Sequence, residues 1–261
     1  MIETSTFTDR IALDDLPIAA TGVYALTAVL WLAVLDGWLP MAMAVVDAPM
    51  TAPGVPELMA TENGLYGVGT YLLMWGAMMM AMMLPSAVPV VRRYRRAACG
   101  SPRRTAIAVA GFLGAYALVW TLVGVVPLAT DALVSIHGVA TTAGRPFVAG
   151  LFLLAGAFQL SARKRRFLSR CRAPDGTLCS SPVQGVKHGV AHAAGCVGCT
   201  WALFALMVGL GSMNAVVMLA ITLVVSIERL SPNGEEIAGA TGVVLLAAGV
   251  LTLAVGGPLV P

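Results

Sequence analysis

Four side chains that favour soft metals stand on one helical face in the stretch His188-Gly189-Val190-Ala191-His192-Ala193-Ala194-Gly195-Cys196-Val197-Gly198-Cys199. At ~100° per residue, His188, His192, Cys196 and Cys199 fall within an arc of about 80°. Thiolates suit Cu(I) and Zn(II), and imidazole suits both. The four positions extend over about 16 Å of helix, too far for one ion. Cys196 with Cys199, or His192 with Cys196, could share an ion, with further ligands supplied by Cys171 and Cys179. Two other readings stay open at this point. The His residues could sit at a membrane interface with the Cys residues packed as small apolar groups, or Cys196-Val197-Gly198-Cys199 could be a thiol redox pair.

A second stretch, Met74-Trp75-Gly76-Ala77-Met78-Met79-Met80-Ala81-Met82-Met83-Leu84-Pro85-Ser86, holds six of the fourteen Met residues. Trp75, Met79, Met82, Met83 and Ser86 share a helical face, with Met78 at its margin. Thioethers bind Cu(I), and they also fill irregular gaps between helices. Pro85 and Pro89 free the carbonyls of Ala81 and Pro85 beside this face. If the helices carrying the two stretches touch, Met and Cys sulfurs lie at matching depth and can meet.

The elements that hold these residues lie in lipid. Hydrophobic residues make up 58% of 261, about 151 side chains, against 16 + 13 = 29 charged ones. A soluble domain carries about a quarter charged residues. Apolar runs place spans near 17–39, 65–91, 105–130, 146–162, 193–210, 212–227 and 237–255. The expectation is an all-α polytopic transmembrane helix bundle of about seven spans, or six if 193–227 is re-entrant. Those last 35 residues carry no charge. As one helix they would run about 52 Å, longer than a hydrocarbon core of about 30 Å, so a turn is expected at Gly209, Gly211, Ser212 and Asn214.

Basic residues cluster at 92–104 and 163–187 between apolar runs, a positive-inside signal that places both clusters in the cytoplasm. Parity then puts the N-terminus inside. The division is a cytoplasmic tail at 1–16 and a single transmembrane domain at 17–261, with basic cytoplasmic loops at 92–104 and 163–192. The 46–66 segment, which lacks Lys and Arg, becomes an external loop. All five cysteines, Cys99 and Cys179 included, fall on the reducing side. The first span is not a signal peptide, because acidic residues precede it and its apolar stretch is too long. Glu228 closes the sixth span beside Arg229, where an interfacial ion pair is the plain reading; buried, Glu228 would be a ligand or proton acceptor near the cysteines.

Met74-Trp75, Met78-Met79, Ala81-Met82-Met83 and Pro85-Ser86, followed by His192, Cys196-Val197-Gly198-Cys199, Trp201-Ala202-Leu203, Gly211-Ser212-Met213-Asn214 and Glu228-Arg229-Leu230, resemble a bacterial and archaeal family of uncharacterised integral membrane proteins with a predicted metal-binding role. The resemblance covers residues from Gly67 to the end of the last span. It implies a multi-pass, metal-binding protein of the prokaryotic inner membrane, and the thiolate, thioether and imidazole side chains make copper, or alternatively zinc, the expected ion. The candidate ligands are His192, Cys196, Cys199, His188, Met78, Met79, Met82 and Met83, with Cys171, Cys179 and Glu228 as outlying candidates. Where family members carry two adjacent Cys residues before the Trp, this chain has Cys199-Thr200. The expected surroundings are the lipid bilayer and partner membrane proteins or further copies of the chain. Nucleic acid is excluded, because Tyr94 and Phe167 are the only aromatic residues among the basic clusters. No pattern supports hydrolysis or phosphoryl transfer. Three functions remain: soft-metal binding and handling, an accessory or structural subunit of a larger membrane enzyme complex, and a membrane thiol redox protein using Cys196 and Cys199.

Overall fold

The computed structural model describes residues 18–40, 46–96, 101–172 and 181–255. Eleven helices and no strand occur among them: α1 Ile18–Leu35, α2 Val55–Glu62, α3 Gly64–Arg96, α4 Pro102–Val123, α5 Val125–Leu133, α6 Ile136–Thr142, α7 Gly144–Gln159, α8 Ala162–Arg172, α9 Pro182–Gly211, α10 Ala215–Leu230 and α11 Gly234–Ala254. The fold is all-α. Four helical stretches are long and apolar enough to cross a membrane, at Gly64–Arg92, Arg103–Leu133, Val183–Gly211 and Gly234–Ala254. A fifth forms if the sharply bent pair Ile136–Thr142 and Gly144–Gln159 counts as one. α10, at 16 residues, is about 24 Å long.

α3 is the central helix: 83% of its apolar window is buried, against 17% for α11. Its apolar residues occur on nearly every face, the pattern of a helix enclosed by others. α11 instead presents Val243, Val244, Val250, Leu251 and Leu253 outward, as a lipid-facing helix would. α4 and α10 both pack on α3, and both also pack on α9. α3 and α9 thus face each other across a centre flanked by α4 and α10.

Small residues set how closely these helices approach. A side chain on Gly185 or Gly189 of α9 would run into the main-chain carbonyls of Ala108 and Phe112 on α4. Gly156 of α7 meets Gly242 of α11 in the same way. The α9–α10 connection is a helical hairpin. Gly211 adopts φ +105°, open to glycine and strained for other residues, and the Thr51 carbonyl occupies the space of its missing Cβ. The Asn214 side chain then caps α10, accepting from the N–H groups of Val216 and Val217.

Two expected loops are more ordered than their composition implies. The 46–66 segment contains α2 and the start of α3. The 163–192 segment holds all but the first residue of α8 and the first turns of α9. The 105–130 run divides at Gly124, which lies against the Trp75 ring and separates α4 from α5. α3 remains helical through Pro85 and Pro89.

Candidate metal centre

α8 has a buried face at Lys164, Leu168 and Cys171, while Arg163, Arg165, Arg166 and Arg170 are exposed. The spacing i, i+4, i+7 is that of an amphipathic helix laid on the bundle. Gly198 of α9 makes room for it: the Phe167 ring stands where its side chain would be, while the Cys171 sulfur lies at van der Waals distance from the Cβ position of Gly195. Cys171 Sγ comes within 3.5 Å of Cys196 Sγ and 3.6 Å of Cys199 Sγ. All three are free thiols. Burial reaches 5% exposure or less at each. Hydrogen bonding to the other two thiols, and then burial, pushes the Cys171 thiol well above its usual range.

His192, one turn before Cys196, is buried beside it. Its ring stacks obliquely against Phe112 and Tyr116 of α4, centroids 5.7 and 5.6 Å away. Neither ring nitrogen has a hydrogen-bond partner, and the Tyr116 hydroxyl also lacks one. Unpaired polar atoms in an interior are costly, and here they gather beside three thiols.

Two cations complete the surroundings. Arg229 of α10 reaches across to α3, donating to Ser86 Oγ at 2.8 Å and lying 3.6 Å from Met83 Sδ. Its other terminal nitrogen lies 3.4 Å from both Cys199 Sγ and the Cys196 carbonyl. Lys164 donates to the Cys199 carbonyl at 2.9 Å and to Glu228 Oε2 at 2.6 Å, with both side chains buried. Gln159 donates to the other Glu228 oxygen at 2.6 Å.

Met78, Met79, Met82 and Met83 are all buried in the same apolar cluster as Cys171, Cys196 and Cys199. His188 is half-buried, about 12 Å along α9 from Cys196. Cys99 and Cys179 lie outside the described residues. Glu228 is buried as a candidate ligand would be, but its partners are Lys164 and Gln159 rather than Arg229. A carboxylate holding an ammonium and an amide is a counter-ion first, and its neighbour Arg229 is released to the sulfurs.

Arg229, Lys164 and Tyr116 are the site residues that sequence reasoning passed over. For Lys164 a signal existed: it shares the 164–168–171 face with Cys171, though its place in a run of cations marked it as surface. For Arg229 the signal was the Glu228-Arg229 pair at the end of an uncharged run, a costly placement in lipid unless both are used.

Among the described residues, no three or more His, Cys, Asp or Glu side chains already surround a common ion position. The thiols are closed on one another instead. Three sulfurs about 2.3 Å from a shared ion would lie about 4.0 Å apart, so the Cys171–Cys196 and Cys171–Cys199 contacts would each open by roughly half an ångström to admit one. The donor chemistry fits a soft ion: sulfurs throughout, one imidazole and no free carboxylate.

Residues 72–252 match the model of a family, PpoB2, described as a copper chaperone. No curated protein and no solved structure matches the chain.

Proposed function

The chain belongs to the PpoB2 copper chaperone family, and from that premise we propose that it is a membrane-embedded carrier that takes Cu(I) as cargo on Cys171, Cys196 and Cys199, with His192 and the Met79, Met82 and Met83 thioethers beside them. The observation that carries this reading is the meeting of three thiols from two helices next to an imidazole without a partner. Charge supports it. Two thiolates with one Cu(I) carry a net single negative charge, which Arg229 balances, while Lys164 and Glu228 cancel each other. Burial of Cys196 and Cys199 to 0% and 1% exposure favours metal handling over thiol redox chemistry, which needs a reachable sulfur.

In this reading the chain crosses the inner membrane seven times, through α1, α3, α4–α5, α6–α7, α9, α10 and α11, with its N-terminus in the cytoplasm. The sulfur centre then lies toward the cytoplasmic side, nearest the basic face of α8. The test is anaerobic Cu(I) titration of the purified full chain against a chromophoric chelator, comparing wild type with C196S/C199S and with C171S. Loss of a tightly held Cu(I) in both variants is expected. A wild-type stoichiometry and affinity in C196S/C199S would remove the cysteines from the site.

A further inference from the structure

A second set of sulfurs lies at the other end of α3. Met50, Met59 and Met74 line a small cavity together with Tyr71 and Thr70. They come from three separate segments: the stretch before α2, α2 itself and α3, where Met74 opens the Met run. The cavity measures about 10 Å³, close to the space of one water-sized sphere. Met59 and Met74 are buried, and Met50 is half-buried at the edge.

Packing alone would use such flexible side chains to close a gap. Here three of them line the same space, which is of single-ion size. Their surroundings favour a cation. The 46–66 segment carries Asp47, Glu57 and Glu62 and neither Lys nor Arg. Glu57 is fully buried next to the cavity wall, accepting from the Tyr71 hydroxyl at 2.8 Å and from Ser212 at 3.0 Å. Its second oxygen has no partner. Thioethers are neutral and soft, so they select Cu(I) over harder cations, and they need no deprotonation to bind it.

We propose that Met50, Met59 and Met74 form a second soft-cation site, made of thioethers only, that binds Cu(I) at the end of the bundle opposite the thiols. The proposal rests on the reading of the chain as a copper carrier but uses none of its cysteines. Met74 also begins a buried row with Met78 and Met82, each four residues on and therefore stacked about 6 Å apart along α3. The row connects the two sites with thioethers.

The test uses the full chain in detergent with Cu(I) under anaerobic conditions. C171S/C196S/C199S protein is expected to retain one Cu(I) with sulfur neighbours in X-ray absorption, and adding M50L/M59L/M74L is expected to abolish it. Leucine preserves volume closely. Residual Cu(I) that survives the three Met substitutions, or no residual Cu(I) in the cysteine variant, overturns the proposal. Wild-type binding in the cysteine variant would instead overturn the thiol centre, so the two failures differ. Oxidation of Met50 by peroxide in wild-type protein gives a readout independent of substitution. Bound Ag(I), a redox-inert stand-in, is expected to slow it about tenfold, the effect of roughly 1.4 kcal/mol, and an unchanged rate counts against the site.

Discussion

Arg229 spans the gap between the methionine and cysteine clusters: one guanidinium nitrogen is 3.6 Å from Met83 Sδ and the other 3.4 Å from Cys199 Sγ. α10 packs on both α3 and α9, and this contact ties a sulfur of each to one side chain. A hydrogen bond to a charged partner contributes about 1.5–3 kcal/mol. Replacing Arg229 with Met should therefore weaken Cu(I) binding about 10- to 100-fold. R229K should recover part of the loss, since it keeps the charge without the two-ended reach. Chelator competition on protein that elutes as a single species checks this, and R229M binding Cu(I) as tightly as wild type would separate Arg229 from the site.

Lys164 and Glu228 should behave as a pair rather than as two independent residues. Each is almost fully buried, and each is the other's counter-charge at 2.6 Å. Removing one leaves a buried charge uncompensated, at a cost of about 3–5 kcal/mol. K164M and E228Q should each lower Tm by roughly 10 °C for a chain of this size, and K164M/E228Q should regain most of that loss. Thermal unfolding in one detergent measures all three. Additive losses in the double variant would show that the two residues act separately.

Much of this arrangement is written in local pattern. The uncharged run from Ala193 to Ile227 demanded a turn, and the turn falls at Gly211–Asn214. The Met face of α3 and the one-sided spacing of His192, Cys196 and Cys199 follow from helical periodicity, and these side chains are buried. What periodicity cannot supply is the partner across the interface. Cys171 meets Cys196 where Gly198 allows α8 to lie on α9, a long-range fit. Arg229 and Glu228 are neighbours in sequence, yet consecutive helical residues point about 100° apart, so they serve different groups. Lys164 belongs to a run whose other members face outward, and average composition concealed the single residue that turns in. The Met50, Met59 and Met74 cavity combines three segments, none of which is distinctive alone.

Glu57 gives the protein a pH dependence that Gln should remove. Burial raises its pKa above the usual carboxylate range, offset in part by the Tyr71 and Ser212 hydrogen bonds. The folded protein thus holds the proton more tightly than the unfolded chain. Stability from this group is fully present below the unfolded pKa and declines as pH rises through the folded one. E57Q keeps an acceptor for Tyr71 and has no charge to bury. The Tm difference between E57Q and wild type should shift in favour of E57Q between about pH 4 and neutrality. A difference independent of pH would mean that Glu57 does not titrate in this window.

The α4–α9 contact offers a structural test of the thiol centre that leaves every sulfur in place. A Cβ on Gly189 would sit 2.4 Å from the Phe112 carbonyl oxygen, and a main-chain oxygen cannot move aside as a side chain can. G189A must therefore push α9 away from α4. His192 and Cys196 follow Gly189 on α9, and the His192 ring is held between Phe112 and Tyr116 of α4. The substitution should cost about 1–3 kcal/mol and should loosen Cu(I) binding beyond what that destabilisation explains. The control is G150A in α7, where nothing lies within 4 Å of the new methyl. There the helix gains propensity of roughly 0.5–1 kcal/mol, and Cu(I) affinity should hold. Equal Cu(I) affinity in G189A and G150A would mean that the thiol centre does not depend on the register of α9 against α4.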